Sequence, residues 1–122
     1  MEQTINDKQI TKAEDLKELN CSNAGITSLA GLEKFSALEQ LNLSENALVT
    51  VPQLANLAQL KVLILRKNNL TNAEPLLHLL NLKEVDISEN KNLTCGDIKQ
   101  LSNNFSKEDL VIILPEHCKA RS

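Results

Sequence analysis

Apolar residues return along this chain on a period of 22 positions. From Leu38 the unit reads Leu38, Leu41, Leu43, Leu48, Val51, Leu54 and Leu57, with Asn46 between Leu43 and Leu48. Moved forward by 22, the same template meets Leu60, Leu63, Leu65, Asn68, Leu70, Ala73, Leu76 and Leu79; moved back, it meets Leu16, Leu19, Ile26, Leu29, Leu32 and Phe35. Self-similarity at one period means repeated supersecondary units, none able to bury its own apolar face alone. Within each unit two periodicities follow one another. The first half alternates (Leu41, Leu43; Leu63, Leu65; Val85, Ile87), which predicts a strand with one buried face. The second half is apolar at every third position (Leu48, Val51, Leu54, Leu57), which predicts a 3₁₀ or single-turn helical return. Pro52 and Pro75 fall early in these returns, where a missing N–H is tolerated. The chain therefore divides into repeats at 16–37, 38–59, 60–81 and 82–105, between an N-terminal cap (1–15) and a C-terminal cap with tail (106–122).

Asn46, Asn68 and Asn90 take the turn after each strand, where buried amides can satisfy backbone groups that leave the sheet. Repeat one has Ala24 there and Cys21 in place of a leucine, so its turn is expected to be the loosest. In the N-terminal cap, Thr11 to Glu14 has capping-box spacing. Repeat four departs at its other end. Thr94-Cys-Gly-Asp97 also reads as a capping box, with Ile98, Leu101 and Phe105 on one face of an α-helix of about ten residues. Leu110-Val-Ile-Ile-Leu114, stopped by Pro115, reads as a fifth parallel strand that closes the sheet, with Glu116 to Ser122 as a polar tail.

Composition agrees with a layered architecture. Leucine occurs 23 times and asparagine 14 times, whereas Trp and Tyr are absent and Phe occurs twice. A net charge of −3 gives no argument for nucleic acid or an anionic membrane as partner. No apolar run approaches the ~20 residues of a membrane-spanning helix. The first residues lack the basic head and apolar core of a secretory leader, and three cysteines (Cys21, Cys95, Cys118) have no short spacing. A disulfide framework or zinc site is therefore not expected, and the chain is placed in a reducing cytoplasm. Cys21 and Cys95 are expected as small core residues. His117-Cys118 is a lone pair in the tail, so no metal is assigned. Isolated glycines form no phosphate loop, no nucleophile motif is present, and no cofactor or catalytic residue is assigned.

The template L-x-x-L-x-L-x-x-N-x-L resembles the leucine-rich repeat family, in particular its 22-residue class, found in bacterial internalins and in the nuclear regulatory subunit of protein phosphatase 1. The run Asn69 to Leu82 is similar to the internalin-type return. The resemblance covers residues 16–101. It implies an α/β, right-handed solenoid with a parallel sheet on its concave face, 3₁₀ or short helical returns on its convex face, and a C-terminal α-helix with a closing strand. It further implies a protein-binding scaffold that is not an enzyme.

Strand residues directed away from the core would line the concave face. In repeat two they are Glu39, Gln40, Asn42, Ser44 and Glu45; in repeat three, Lys61, Val62, Ile64, Arg66 and Lys67; in repeat four, Lys83, Glu84, Asp86, Ser88 and Glu89. Repeat three differs in kind, with two apolar residues and three cations. Lys67 between Glu45 and Glu89 could reflect cross-strand pairing alone. Val62 and Ile64 gain no apolar neighbour in the register that the period predicts, so packing does not explain them. An apolar pair with Arg inside a polar rim is the composition of a protein interface, which nominates Val62, Ile64, Arg66 and Lys67, flanked by Asn42 and Asp86. Four or five strands at ~4.8 Å, each showing about five residues at ~3.3 Å, offer a projected face of roughly 300–400 Å². That is about half a standard interface and suits a peptide segment. The alternative is a structural subunit that completes a homodimer or larger assembly through its incompletely capped N-terminal edge.

Overall fold

The computed structural model describes residues 16–104 and 110–119. Five three-residue strands, β1 (Glu18–Asn20), β2 (Gln40–Asn42), β3 (Val62–Ile64), β4 (Glu84–Asp86) and β5 (Val111–Ile113), form one parallel sheet in chain order. The register is that of the period: Leu41 pairs with Leu63, and Leu63 with Val85. Each central residue points into the core. Leu41, Leu63 and Val85 are buried, as are Leu43, Leu65 and Ile87 in the next inward position.

The returns carry 3₁₀ segments at Leu32–Lys34, Pro52–Asn56 and Glu74–His78. Their hydrogen bonds share the period of their buried side chains. Leu54 N–H bonds Val51 C=O, Leu57 bonds Leu54, and Leu60 bonds Leu57. An i→i−3 bond brings every third residue to the same side, so the same residues close the turns and fill the core. The buried leucines of successive coils then join one continuous cluster.

The asparagines form the column expected of them, with a direction that the sequence does not reveal. Asn68 Nδ2 donates to the carbonyls of Leu43 and Leu65, both at 3.0 Å, while its Oδ1 accepts the N–H of Leu48. Asn90 repeats this one coil on, with Leu65, Ile87 and Leu70. Each amide thus serves its own turn and the turn of the coil before it. The repeat-one turn is held in this way despite Ala24, because Asn46 accepts from Ala24 and Ile26 and donates to Cys21 C=O. The absence of an asparagine at position 24 therefore does not orphan that turn.

At the C-terminal end, helix α1 (Cys95–Asn104) starts as the capping pattern predicts, with Asp97 N–H donating to Thr94 Oγ1. Ile98 and Leu101 are buried; Phe105 lies outside the described residues, as does the N-terminal cap with its Thr11–Glu14 pattern. β5 pairs in parallel with β4. Two expectations fail here. The stretch after Pro115 is not simply a polar tail: residues 116–119 form a short helix, α2 (Glu116–Lys119), with Cys118 buried. Cys95 is not a lone core thiol but is disulfide-bonded to Cys118, 23 residues on. Sequence spacing hid this pair because β5 lies between the two cysteines and returns the chain beside the start of α1. Cys21 is buried and free, and burial pushes its thiol up to about 11.

Candidate functional site: the outer face of the sheet

Alternation that sends Leu19, Leu41, Leu63, Val85 and Ile112 inward sends two rows of side chains outward. One row is Glu18, Gln40, Val62, Glu84 and Val111; the other is Asn20, Asn42, Ile64, Asp86 and Ile113. Residues of β1, β2 and β3 line a shallow depression of about 420 Å³ that includes Val62, Ile64 and Asn42. Val62 faces Gln40 and Glu84, and Ile64 faces Asn42 and Asp86, so neither has an apolar neighbour on the adjoining strands.

A local hydrogen-bond device marks repeat three as different. In repeats one, two and four the outward Asn or Asp at the strand end accepts twice from the serine two residues on. Asn42 Oδ1 takes Ser44 N–H at 3.0 Å and Ser44 Oγ–H at 2.8 Å. Asn20 with Ser22, and Asp86 with Ser88, do the same. This bracket steadies the turn into the left-handed residue that follows: Asn23, Glu45 and Glu89 have φ between 50° and 58°. Lys67 takes that conformation too, at φ 63°, yet Ile64 and Arg66 can form no such bracket. Repeat three gives up two side-chain hydrogen bonds and keeps the turn.

The charges pair differently from the sequence expectation. Arg66, rather than Lys67, forms the ion pair with Glu89, and Lys61 pairs with Glu39 at 3.7 Å. Lys67 stands at the turn beyond the strand, with no ion-pair partner among the described residues. Both ion pairs are substantially exposed, so each contributes at most ~1 kcal/mol. Sequence reasoning did not place Val111 and Ile113 on this face. They are 60% and 36% exposed and continue the two rows beside Glu84 and Asp86. Registering 110–114 against repeat four would have found them; the unbroken apolar run concealed which residues point out.

His117 and the two bonded cysteines cluster within 4.8 Å, contrary to the expectation that the His117-Cys118 pair has no further ligand residue near it. The two sulfurs are bonded to one another, and His117 Nε2 lies 2.8 Å from Leu93 C=O. In this arrangement the cluster is a clasp between α1 and α2 rather than an open ligand set.

A leucine-rich-repeat family model (two repeat copies) matches residues 14–56. An internalin (inlF) from Listeria monocytogenes is similar at 28% identity and TM-score 0.73, over 85% of this chain and 29% of that one. The chain folds as a leucine-rich-repeat solenoid. Internalin C2 of the same bacterium is similar at 25% identity and TM-score 0.62, covering 83% of this chain and 52% of that one. A leucine-rich repeat protein of Leptospira interrogans aligns at 26% identity and TM-score 0.66, over 79% and 25% of the two chains. The chain thus spans less than a third of the internalin F homologue and about half of internalin C2. The comparison with curated proteins returns no match. No helix among the described residues is long and apolar enough to cross a membrane.

Proposed function

We propose that this chain is a non-catalytic protein-interaction scaffold that captures a protein or peptide partner on the outer face of its sheet, around Val62 and Ile64. Leucine-rich repeat proteins in general mediate protein–protein contact. The observation that carries the assignment to this face is the departure of repeat three from the other repeats. Its inward strand positions, Leu63 and Leu65, match Leu41 and Leu43 of repeat two, while its outward positions replace a turn-stabilising Asn–Ser bracket with Ile64 and Arg66. Half-buried Val62 and Ile64 form the apolar centre; Asn42, Asp86, Lys67 and the Arg66–Glu89 pair form the polar rim.

The test is capture of a partner from the native source by wild type and by V62D/I64D. Loss of one specific partner with an unchanged thermal melt supports the reading; undiminished capture contradicts it. Assembly through the sheet edge at β1 is the second reading, and a sedimentation mass above that of one chain would favour it. The compartment needs revision. A Cys95–Cys118 bond suits oxidising surroundings, so the cysteine argument for a cytoplasmic location lapses.

A further inference from the structure

The partner's chemistry can be narrowed from the order of residues across the face. Resting on the reading that this face is the binding surface, we infer that it receives a short amphipathic helix laid across the strands, with an apolar residue, a Lys or Arg, and a second apolar residue at i, i+3 or i+4, and i+7.

Three strands set this order. β3 presents Val62 and Ile64, β4 presents Glu84 and Asp86, and β5 presents Val111 and Ile113. An acidic pair therefore lies between two apolar pairs. The ion pairs among the described residues use Glu39 and Glu89, so neither Glu84 nor Asp86 is neutralised in this way. Asp86 Oδ1 accepts from Ser88, which fixes the carboxylate in place without cancelling its charge. Both acids are half-buried, and a cation seated between apolar walls is screened less than one in open water.

Spacing selects the helix. Strands ~4.8 Å apart put the two apolar pairs ~9.6 Å apart with the acids midway. A helix rising ~1.5 Å per residue places i+3 or i+4 at ~4.5–6 Å and i+7 at ~10.5 Å, all on one side. An extended chain shows same-side residues only every ~6.7 Å and overshoots both rows. The five strands span ~19 Å, the length of a helix of about 13 residues.

The probe is a labelled, alanine-based helical peptide of about 15 residues with leucine, lysine and leucine at i, i+3 and i+7, read by fluorescence anisotropy. Controls are the same peptide with glutamate for lysine, and a proline-interrupted peptide of the same composition. The protein variant is E84Q/D86N, which gives repeat four the residue types of Gln40 and Asn42 and leaves an acceptor for Ser88. The lysine helix is expected to bind wild type about tenfold or more tighter than the glutamate helix at low salt, and this preference should shrink below about threefold on E84Q/D86N. Equal binding of the two helices, a preference that survives E84Q/D86N, tighter binding of the interrupted peptide, or no binding of the lysine helix would each overturn the inference. If it falls while V62D/I64D still abolishes partner capture, the binding-face assignment stands without the helix. If capture is also undiminished, both fall.

Discussion

β2 and β3 are neighbours with nearly the same inner half and different outer halves. Leu41, Leu43 and Asn46 in one, and Leu63, Leu65 and Asn68 in the other, occupy equivalent places and make equivalent contacts. On the outside, Gln40 and Asn42 with Ser44 are polar and self-bracketed, whereas Val62 and Ile64 with Arg66 are apolar and paired to the next coil. In a stacked solenoid the inward positions are constrained by both neighbouring coils, so they repeat. The outward positions contact few other residues, and there the sequence can vary without disturbing the stack. A departure on that side which also discards local hydrogen bonds calls for a reason outside the fold.

The contrast is sharpened most by striking the inner half. Asn68→Ala leaves the N–H of Leu48 without its acceptor and removes one of two amide donors from each of the carbonyls of Leu43 and Leu65, which keep Asn46 and Asn90 respectively. At ~1–3 kcal/mol for the orphaned N–H and ~0.5–1.5 kcal/mol for each lost carbonyl bond, partly relieved by relaxation, the expected loss is about 3–4 kcal/mol in a denaturant melt. A loss below about 1 kcal/mol would mean that the column is decorative. Opening the Cys95–Cys118 loop is next. The chain-entropy relation gives about 3 kcal/mol for a loop of this length, so adding a thiol reductant should lower the unfolding free energy by that amount in wild type and leave C95A/C118A unmoved. A smaller effect comes from Cys21, which holds an inward position that is Leu or Ile in the other repeats. Its thiol is raised from 9.0 to about 11 by burial. The folded state therefore keeps the proton that the unfolded chain releases, and this contribution is complete below pH 9 and is lost as pH rises towards about 11. The fall in stability over that window should vanish in Cys21→Ala.

Much of this was legible in the sequence. The strands, their parallel order, the 3₁₀ returns, the asparagine column, α1 and β5 follow from period, alternation and capping, because each is fixed within one coil or by an exact 22-residue shift. The clasp at the C-terminus was not legible. Cys95 and Cys118 meet only because β5 folds back, and a pairing made by tertiary return leaves no local signature. On the face, Val62 and Ile64 stood out as breaks in the repeat, but the partners of Arg66 and Lys67 did not. Arg66 takes Glu89, and Lys67 has no ion-pair partner among the described residues. Val111 and Ile113 were hidden because both faces of β5 are apolar.

The central claim is that β3 keeps its inner half for the fold and its outer half for a partner. The most direct measurement is partner capture by V62Q/I64N/R66S, which gives the outer half of β3 the residues of β2 and restores the Asn–Ser bracket in place of the Arg66–Glu89 pair. The bracket and the lost ion pair differ by about 1 kcal/mol or less, so the variant should melt within about 1 kcal/mol of wild type. It should nevertheless fail to capture the partner. Full capture by a variant that melts normally, or a loss of several kcal/mol with capture intact, would contradict the account.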